Sequence, residues 1–532
     1  MKKNKFLSKF TYAKPEIWLI FILIFALILR LIFFMGFVNA ADQDEGVYLN
    51  YIHVILRGGF NFYNYRNLPE NYLANPAETF KFRSMLLYPV TLSFWLFGVS
   101  DFTATLFPLL TSLGGVLLVF YFGKLIFNEK VGLLSAFLLS FFPLDVLYAT
   151  RIMPDVPLAF FSGLSLYLFL KAEKSNKDKI FYLLSGLAFG LGYLVKPLIF
   201  SLIPFLVLYI IYKRRIKIEF VFFILGFLII LIPEGLYYFS QSGDFLLNLH
   251  IARSEYLHKY TFENPTNVEI IPKILTLSYT DSLPIYYSKV MLNPFYDSKV
   301  NFYGFFYFFF IISVLYLFIK KVKKSYILIL WFALLFLYLE FGPVGIKIND
   351  GSFLIKYMLI FKRPRFSTIL NIPVVLIISY FLIDISIKTK KILSIVIICF
   401  LLITSIYYIN KSRDYLLSGM QAIKNAGSFL ATQPKKDVYA DFLAVGMLEY
   451  YLGYQRDEYV KNIQENSTEI KNAFVVDGGS RGVDLYWKVI DDERPSYLIN
   501  PPKDWEIVKF IPNPMKKFDS NHRDLIIYYV PN

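Results

Sequence analysis

Apolar runs of about 17 to 25 residues, the length that spans a bilayer, recur along most of this 532-residue chain. They do not alternate between apolar and polar positions, as the strands of a membrane barrel would, so they predict helices. Hydrophobic residues make up 56% of the chain and charged residues 18%, whereas a soluble protein carries roughly 25% charged residues. The sequence therefore predicts an α-helical polytopic membrane protein.

The formal net charge of +15 comes largely from short basic clusters between the apolar runs. These clusters are "MKKNK", "KAEKSNKDK", "KRRIK", "KKVKK" and "KTKK". Such a distribution is typical of cytoplasmic loops, so it favours a cytoplasmic N-terminus and requires no nucleic acid as partner. The first apolar run is too long for the core of a signal peptide, which predicts a retained first span.

Charge sets the side of each loop. We predict about eleven spans, each near the length that the hydrocarbon core requires: 17–38, 103–126, 131–149, 154–171, 180–195, 197–212, 219–240, 302–319, 325–344, 366–384 and 392–408. Residues 84–98 are apolar but short and contain Pro89. Counting them as a span would place "KAEKSNKDK" and "KRRIK" outside, so we interpret them as an interfacial, juxtamembrane helix.

Two domains follow from this topology. Residues 1–410 form the transmembrane domain, whose first external loop, 39–102, contains the juxtamembrane helices. Residues 411–532 form a small extracytoplasmic α/β domain, because "KKDVYADFLAVGMLEYYLGY", "NAFVVDGG" and "LIIYYVP" are short strand-like runs separated by helical segments. We expect the closing segment "WEIVKFIPNPMKKFDSNHRDLIIYYVP" to form two strands joined by a polar turn.

Cysteine and histidine exclude several classes of site. The single cysteine, Cys399, lies in an apolar run, so disulfides and thiol catalysis are excluded. The four histidines show no ligand spacing such as H-x-x-x-H. His258 with Glu255 could form half of a divalent-metal site, although an exposed loop histidine is the plainer interpretation. No cofactor is predicted with certainty.

Three carboxylates, Asp42, Asp44 and Glu45, follow the first span within four positions. In the functional interpretation one of them is a general base for an incoming hydroxyl, because partial desolvation at a cavity mouth makes a carboxylate more basic. The alternative is that they keep an external loop soluble. We take Asp44 as the candidate base, with Glu45 in support and Asp42 solvated.

Further charged residues collect on the same predicted side. Arg151 and Asp155 lie in a short turn, "TRIMPD", where they could bind substrate or hold the first loop, or where Asp155 could cap a helix. Lys196 stands alone between two apolar helices, which suits either a phosphate or snorkelling to lipid headgroups. Arg363 and Arg365 precede a late span on the outer side, against the positive-inside rule, which favours an anionic ligand.

Taken in order, four segments resemble those of the GT-C superfamily, in its protein O-mannosyltransferase and aminoarabinose-transferase branch. They are "DQDEGVYLNY", "LLYPVTLSFWLFGVSDFTATLFPLL", "YATRIMPDVPLAFFSGLSLYLF" and "GLAFGLGYLVKPLIFSLIPFLVLYI". The later segment "KRPRFSTILNIPVVLIISYFL" is similar to an arginine-to-proline segment of these enzymes. The resemblance covers roughly 1–215 and, more weakly, 361–384.

The resemblance implies a membrane glycosyltransferase that takes a sugar from a polyprenyl-phosphate donor at the extracytoplasmic face of the cell membrane. The acceptor would be a hydroxyl or phosphate of a glycan, lipid or protein. Asp44 would be the catalytic base, with Glu45 beside it. Substrate or acceptor binding would fall to Asp155, Arg151 and the aromatic Tyr48. Lys196, Arg363 and Arg365 would lie near the donor phosphate.

Two other functions remain open. A transporter or flippase of a lipid-linked sugar or other anionic lipid would have ionisable groups near the bilayer midplane and two related halves. Here the charged groups collect at one face and the halves do not resemble each other. A receptor or assembly protein acting through its tail would leave the first loop unexplained.

Overall fold

The computed structural model describes residues 14–37, 44–58, 83–175, 177–214, 217–250, 291–293, 301–341, 345–349, 352–356, 363–388, 391–454, 459–463, 470–478, 495–518, 520 and 522–532. Its membrane part is helical, with α1 Pro15–Ile32, α2 Asp44–Arg57, α3 Ser84–Phe97, α4 Asp101–Ile126, α5 Glu129–Ser140, α6 Pro143–Tyr148, α7 Asp155–Ala172, α8 Asp178–Val195, α9 Ile203–Lys213, α10 Phe220–Ser242, α11 Phe306–Ile319, α12 Tyr326–Phe341, α13 Asn371–Lys388 and α14 Lys391–Ser418. Short 3-10 helices at Pro197–Leu202, Lys323–Ser325 and Pro364–Leu370 precede α9, α12 and α13.

The membrane character predicted from the apolar runs is confirmed. Among the described residues, seven helices are long and apolar enough to cross a bilayer, and three shorter apolar helices accompany them. The count of eleven spans stays a prediction. Helix α3 has 14 residues, or about 21 Å at 1.5 Å per residue, which is shorter than a hydrocarbon core of about 30 Å. This length agrees with the interfacial interpretation of residues 84–98.

The run predicted as one span at 131–149 is two helices in the structure. Helix α5 ends at Ser140, and α6 begins at Pro143 and has six residues. Proline at the first position suits the start of a helix and cannot continue the preceding one. The chain therefore turns here and reaches the loop that contains Arg151 and Asp155.

A buried ion pair fastens α6 to the first span. The Arg30 guanidinium of α1 contacts Asp145 of α6 at 2.6 Å, and both side chains are buried. Arg30 Nε also donates to Ser112 Oγ of α4 at 2.7 Å, and Nη1 donates to the Ser140 carbonyl at 3.0 Å. Ser112 in turn donates to Asp145. Because each partner comes from a different helix, the network fixes the direction in which the chain leaves α6.

The C-terminal part contains the predicted α/β domain. Its sheet comprises β3 Val438–Ala440, β4 Val460–Asn462, β5 Ala473–Asp477, β6 Glu506–Ile511 and β7 Leu525–Val530, in the order β4-β3-β5-β7-β6. Strand β3 pairs in parallel with β4 and β5, whereas β5–β7 and β7–β6 are antiparallel, so the closing two-strand prediction is confirmed. Helices α15 Gln421–Ala431, α16 Phe442–Tyr451 and α17 Ser496–Ile499 and a 3-10 helix at Pro514–Lys517 complete the domain, and the earlier strands β1 Gly345–Asn349 and β2 Ser352–Lys356 form a separate hairpin.

The α/β domain contacts the membrane part directly. Tyr454 follows α16, stacks on His53 of α2 with ring centroids 3.9 Å apart, and donates its hydroxyl to the Leu49 carbonyl at 3.1 Å. Tyr450 donates to Asp101, the first residue of α4, at 2.8 Å. Helix α14 itself runs without a break through residue 410 to Ser418. The domain is thus packed against the helix that carries Asp44.

Candidate functional site

The candidate site lies where several helix ends meet. Asp44 is the first residue of α2 and Asp155 the first residue of α7. Lys196 directly follows the last residue of α8. Carboxylates are stabilised at helix N-termini and cations at helix C-termini by the helix dipole. The sequence therefore places each charge where local structure favours it, and the tertiary fold brings the three together.

Arg365 joins the two carboxylates. Its Nη2 atom contacts Asp44 Oδ2 at 2.5 Å, and its Nε atom lies 3.4 Å from Asp155 Oδ2. The other Asp155 oxygen, Oδ1, accepts a hydrogen bond from Lys196 Nζ at 3.0 Å. We call Asp44, Arg365, Asp155 and Lys196 the charge cluster. Four residues that the sequence analysis selected from separate segments thus form one continuous series of contacts.

Glu45 and Arg151 form a second pair beside the charge cluster. Arg151 Nε and Nη2 donate to the two Glu45 oxygens at 3.0 and 3.2 Å, and both side chains are almost completely buried. The Arg151 guanidinium also lies over the Tyr148 ring, 4.6 Å from its centroid. Tyr48, one helical turn after Glu45, is buried as well. This two-point contact holds the first turn of α2 against the loop before α7.

Lys196 is a buried cation in a mixed environment. Its ammonium lies 3.9 Å from the centroid of the Phe366 ring, in addition to its contact with Asp155. Burial lowers the pKa of Lys196 to about 8, Asp155 opposes this shift, and Arg83 and Arg365 add to it. An approaching anion would favour the charged form of this lysine.

Arg83 is a cation of this region that the sequence analysis missed. It directly precedes α3, it is buried, and it is close enough to Lys196 to lower the pKa of that lysine. The signal was present, because an arginine stands at the beginning of the short apolar helix assigned to the outer face. With Arg83, the region holds three cations and the two carboxylates Asp44 and Asp155.

The remaining predicted residues are placed as follows. Arg363 lies just before the 3-10 helix at Pro364–Leu370 and is half-buried. Asp42, Glu255 and His258 lie outside the described residues, so the half metal site stays a prediction. Within the part of the chain that the structure describes, no group of three or more His, Cys, Asp or Glu side chains could hold a metal ion.

Known proteins match this chain in sequence. The family model described as dolichyl-phosphate-mannose-protein mannosyltransferase matches residues 84–237, the segment from α3 into α10 that contains Asp155 and Lys196. An uncharacterized protein of Aquifex aeolicus is 26% identical over 294 residues, which cover 53% of this chain and 67% of that protein.

Solved structures match the fold over more of the chain. ArnT from Cupriavidus metallidurans in the apo state aligns with a TM-score of 0.59 at 12% identity, over 96% of this chain and 97% of that one. The Archaeoglobus fulgidus oligosaccharyltransferase tethered to an acceptor peptide aligns with a TM-score of 0.54 at 11% identity, over 87% of this chain and 69% of that one.

The chain therefore shares its fold with ArnT and with the oligosaccharyltransferase, both of which are GT-C glycosyltransferases. Residues 84–237 are in addition similar in sequence to the protein-mannosyltransferase family. The resemblance inferred from the sequence segments is thereby confirmed.

Proposed function

We propose that this protein transfers a sugar from a polyprenyl-phosphate-linked donor to a hydroxyl or phosphate acceptor at the extracytoplasmic face of the cell membrane. The observation that carries the proposal is the charge cluster, in which two carboxylates and two cations alternate through contacts of 2.5 to 3.4 Å. Glycosyl transfer from a lipid phosphate requires both kinds of group, a base for the acceptor and cations for the leaving phosphate.

In this mechanism Asp44 is the general base. The acceptor hydroxyl attacks the anomeric carbon of the donor, and its proton passes to the Asp44 carboxylate. The contact with Arg365 favours the ionised carboxylate, because an opposite charge at 2.5 Å stabilises the charged form. Asp44 is also less enclosed than Glu45, whose side chain is fully buried. This difference in exposure supports Asp44 over its neighbour as the group that meets substrate.

The donor phosphate is assigned to the cations. As the bond from the anomeric carbon to the phosphate oxygen breaks, that oxygen keeps the electron pair and gains negative charge. Lys196 and Arg365 would stabilise this charge from positions 3.0 and 3.4 Å from the Asp155 carboxylate, which holds both cations in place. Arg363 and Arg83 would add positive potential at the edge of the same site.

Glu45, Arg151 and Tyr48 support the site in this proposal. The buried Glu45–Arg151 pair keeps the beginning of α2 in position, and Tyr48 is buried one turn further along the same helix. Arg151 could still reach an acceptor if substrate binding opened that pair. We therefore assign the primary substrate contact of the second loop to Asp155.

The partners follow from the same assignment. ArnT from Cupriavidus metallidurans has also been solved bound to undecaprenyl phosphate, and its fold match supports a polyprenyl phosphate as the donor carrier here. A long isoprenoid tail requires a lipid-exposed surface, and residues exposed on α1, α10 and α14 are largely hydrophobic. The acceptor class, whether glycan, lipid or protein, follows from the assay below. We place the N-terminus in the cytoplasm and the α/β domain outside.

A reconstituted assay tests the proposal. Full-length protein in liposomes would be given undecaprenyl-phosphate and dolichyl-phosphate sugars together with acceptor extracts, and release of free polyprenyl phosphate would be measured. We expect release that depends on acceptor and is lost in Asp44→Asn. Movement of the donor lipid across the vesicle membrane without sugar transfer would instead establish a flippase.

A further inference from the structure

A carboxylate within the membrane part has no role in the mechanism above. Glu234 lies in α10, eight residues before the end of that helix at Ser242. Most of the apolar stretch of this helix is exposed on the surface of the protein, and only 11% of it is buried. Ionisable groups at membrane depth cost several kcal/mol by typical insertion scales, so they generally mark functional sites.

Two polar side chains are directed at Glu234. Asn248 Nδ2, from the segment after α10, donates to Glu234 Oε1 at 3.0 Å. The Tyr193 side chain of α8 lies close to the same carboxylate and to Asn248. Tyr193 and Asn248 are both buried, whereas Glu234 is half-buried. The carboxylate is therefore held in a defined position with part of its surface open.

Close helix packing keeps Tyr193 opposite Glu234. Helices α8 and α10 approach each other through glycine, because a Cβ atom at Gly186 would overlap the Phe223 carbonyl and one at Gly226 would overlap the Leu183 carbonyl. Small residues allow two membrane helices to make backbone contact. The pair is thus built on rigid elements, which suits a site that must recognise a ligand in one orientation.

The group lies beside the candidate phosphate site. Tyr193 stands in the last turn of α8, and Lys196 directly follows that helix, so both residues lie at the same end of it. One turn after Glu234, the buried Tyr238 lies close to Ser84, the neighbour of Arg83. Glu234 therefore lies at the same end of α8 as the candidate phosphate site.

We propose that Glu234, Asn248 and Tyr193 form a subsite for the sugar of the lipid-linked donor; this inference rests on the proposed function. Its donors and acceptors match vicinal hydroxyls, since a carboxylate accepts from two hydroxyl groups, and the amide and phenol can both donate and accept. A purely structural hydrogen bond that held Asn248 against α10 would not need a carboxylate, because glutamine accepts the same hydrogen bond without the cost of burying a charge. A carboxyl group at this position points to a ligand that offers hydroxyl groups for hydrogen bonds.

Binding of two lipids separates this subsite from the phosphate site. The probes are undecaprenyl phosphate without a sugar and a panel of undecaprenyl-phosphate hexoses and pentoses, titrated against full-length protein in nanodiscs. We expect Glu234→Gln to weaken binding of the preferred sugar-bearing lipid about ten- to a hundredfold, which is the effect of losing a hydrogen bond to a charged group. Binding of bare undecaprenyl phosphate should change less than about twofold, because its contacts lie at Lys196.

Two further variants make the result unambiguous. Lys196→Ala should weaken the binding of both kinds of lipid. Glu219→Gln makes the same chemical change as Glu234→Gln at the beginning of α10, and it should leave the binding of both lipids unchanged. An equal loss of both lipids in Glu234→Gln, or no loss of either, would overturn the sugar subsite while leaving the donor class intact. If wild-type protein bound none of the polyprenyl phosphates, the proposed function itself would fail.

Discussion

Asp44 and Arg365, which are 321 positions apart in the chain, meet through a 2.5 Å contact between a carboxylate oxygen and a guanidinium nitrogen. The contact links the beginning of α2 to the 3-10 helix before α13, two elements that share no sequence neighbourhood. Because Arg365 also reaches Asp155, one guanidinium sets the spacing between the candidate base and the second-loop carboxylate.

Replacing Asp44 with asparagine should abolish the base while preserving shape. We expect sugar transfer to fall by about a hundredfold to ten-thousandfold, the typical contribution of a positioned general base, with donor binding retained. Single-turnover release of polyprenyl phosphate measures the effect. Asp178→Asn, at the opposite end of α8 from Lys196, is the control and should transfer at the wild-type rate. Full activity in a folded Asp44→Asn protein would remove the base assignment.

Replacing Arg365 with lysine tests the geometry of the charge cluster at constant charge. Lysine supplies a single ammonium and cannot reach both carboxylates as the guanidinium fork does. We expect kcat/KM for the donor to fall about ten- to a hundredfold, as one or two charge-assisted contacts are lost. Arg214→Lys, on the exposed residue after α9, is the matched control. An unchanged kcat/KM would show that Arg365 acts only through its charge.

The pKa of Lys196 predicts a pH dependence. Burial lowers this pKa to about 8, so in the free protein the ammonium is charged below pH 8 and loses its proton as the pH rises through that value. The affinity for an anionic donor should therefore fall above about pH 8. In a plot of kcat/KM against pH, this loss appears as a fall on the alkaline side. Lys196→Arg should move that fall to higher pH, since arginine stays charged. If kcat/KM fell at the same pH in both proteins, a group other than Lys196 would be responsible for the fall.

The Arg30–Asp145 pair predicts a large effect on stability. Asp145→Asn leaves the buried Arg30 guanidinium without its counter-ion, and breaking a buried pair from one side costs about 3–5 kcal/mol. We expect a marked fall in the thermal unfolding temperature in detergent, with Lys124→Gln, from an exposed pair with Glu129, as control. The double variant Arg30→Met with Asp145→Leu should recover much of the loss. If Asp145→Asn unfolded at the wild-type temperature, the network would not be holding α6.

The contact between the α/β domain and α2 predicts a functional link. Tyr454→Phe removes the hydroxyl that donates to the Leu49 carbonyl inside a buried interface, which should loosen the helix that begins at Asp44. We expect kcat to fall several-fold with little change in donor KM. Tyr529→Phe, whose hydroxyl contacts Asn472 at an exposed position, is the control. A wild-type kcat in Tyr454→Phe would show that the domain is not needed to hold the site.

Much of the site could be predicted from sequence because its charges lie at helix ends. Asp44, Asp155 and Lys196 each adjoin a long apolar run, so composition alone distinguishes them from ordinary surface charges. Their pairing could not be predicted, since no local pattern indicates that Glu45 faces Arg151 and that Asp44 faces Arg365. Only tertiary contacts bury Glu45 and leave the adjacent Asp44 more exposed.

The charges within apolar runs were missed for a different reason. Arg30 and Asp145 each occupy one position of a run that otherwise satisfies the length and hydropathy of a span, so averaging over the run conceals them. Glu234 is concealed in the same way within α10. The cost of a charge at membrane depth makes each of these positions more informative than the run around it.

The four residues of the charge cluster balance one another before any ligand arrives, with Asp44 and Asp155 matching Arg365 and Lys196, and the neighbouring Arg83 adds one positive charge. A phosphate that binds there must exchange one set of ion pairs for another, so the electrostatic gain on binding is a difference between similar quantities. Free inorganic phosphate should therefore compete poorly for the site. Occupancy of the site would depend on the isoprenoid tail, whose burial supplies a driving force that the exchange of ion pairs does not. The local concentration of lipid in the bilayer would then set the rate of turnover.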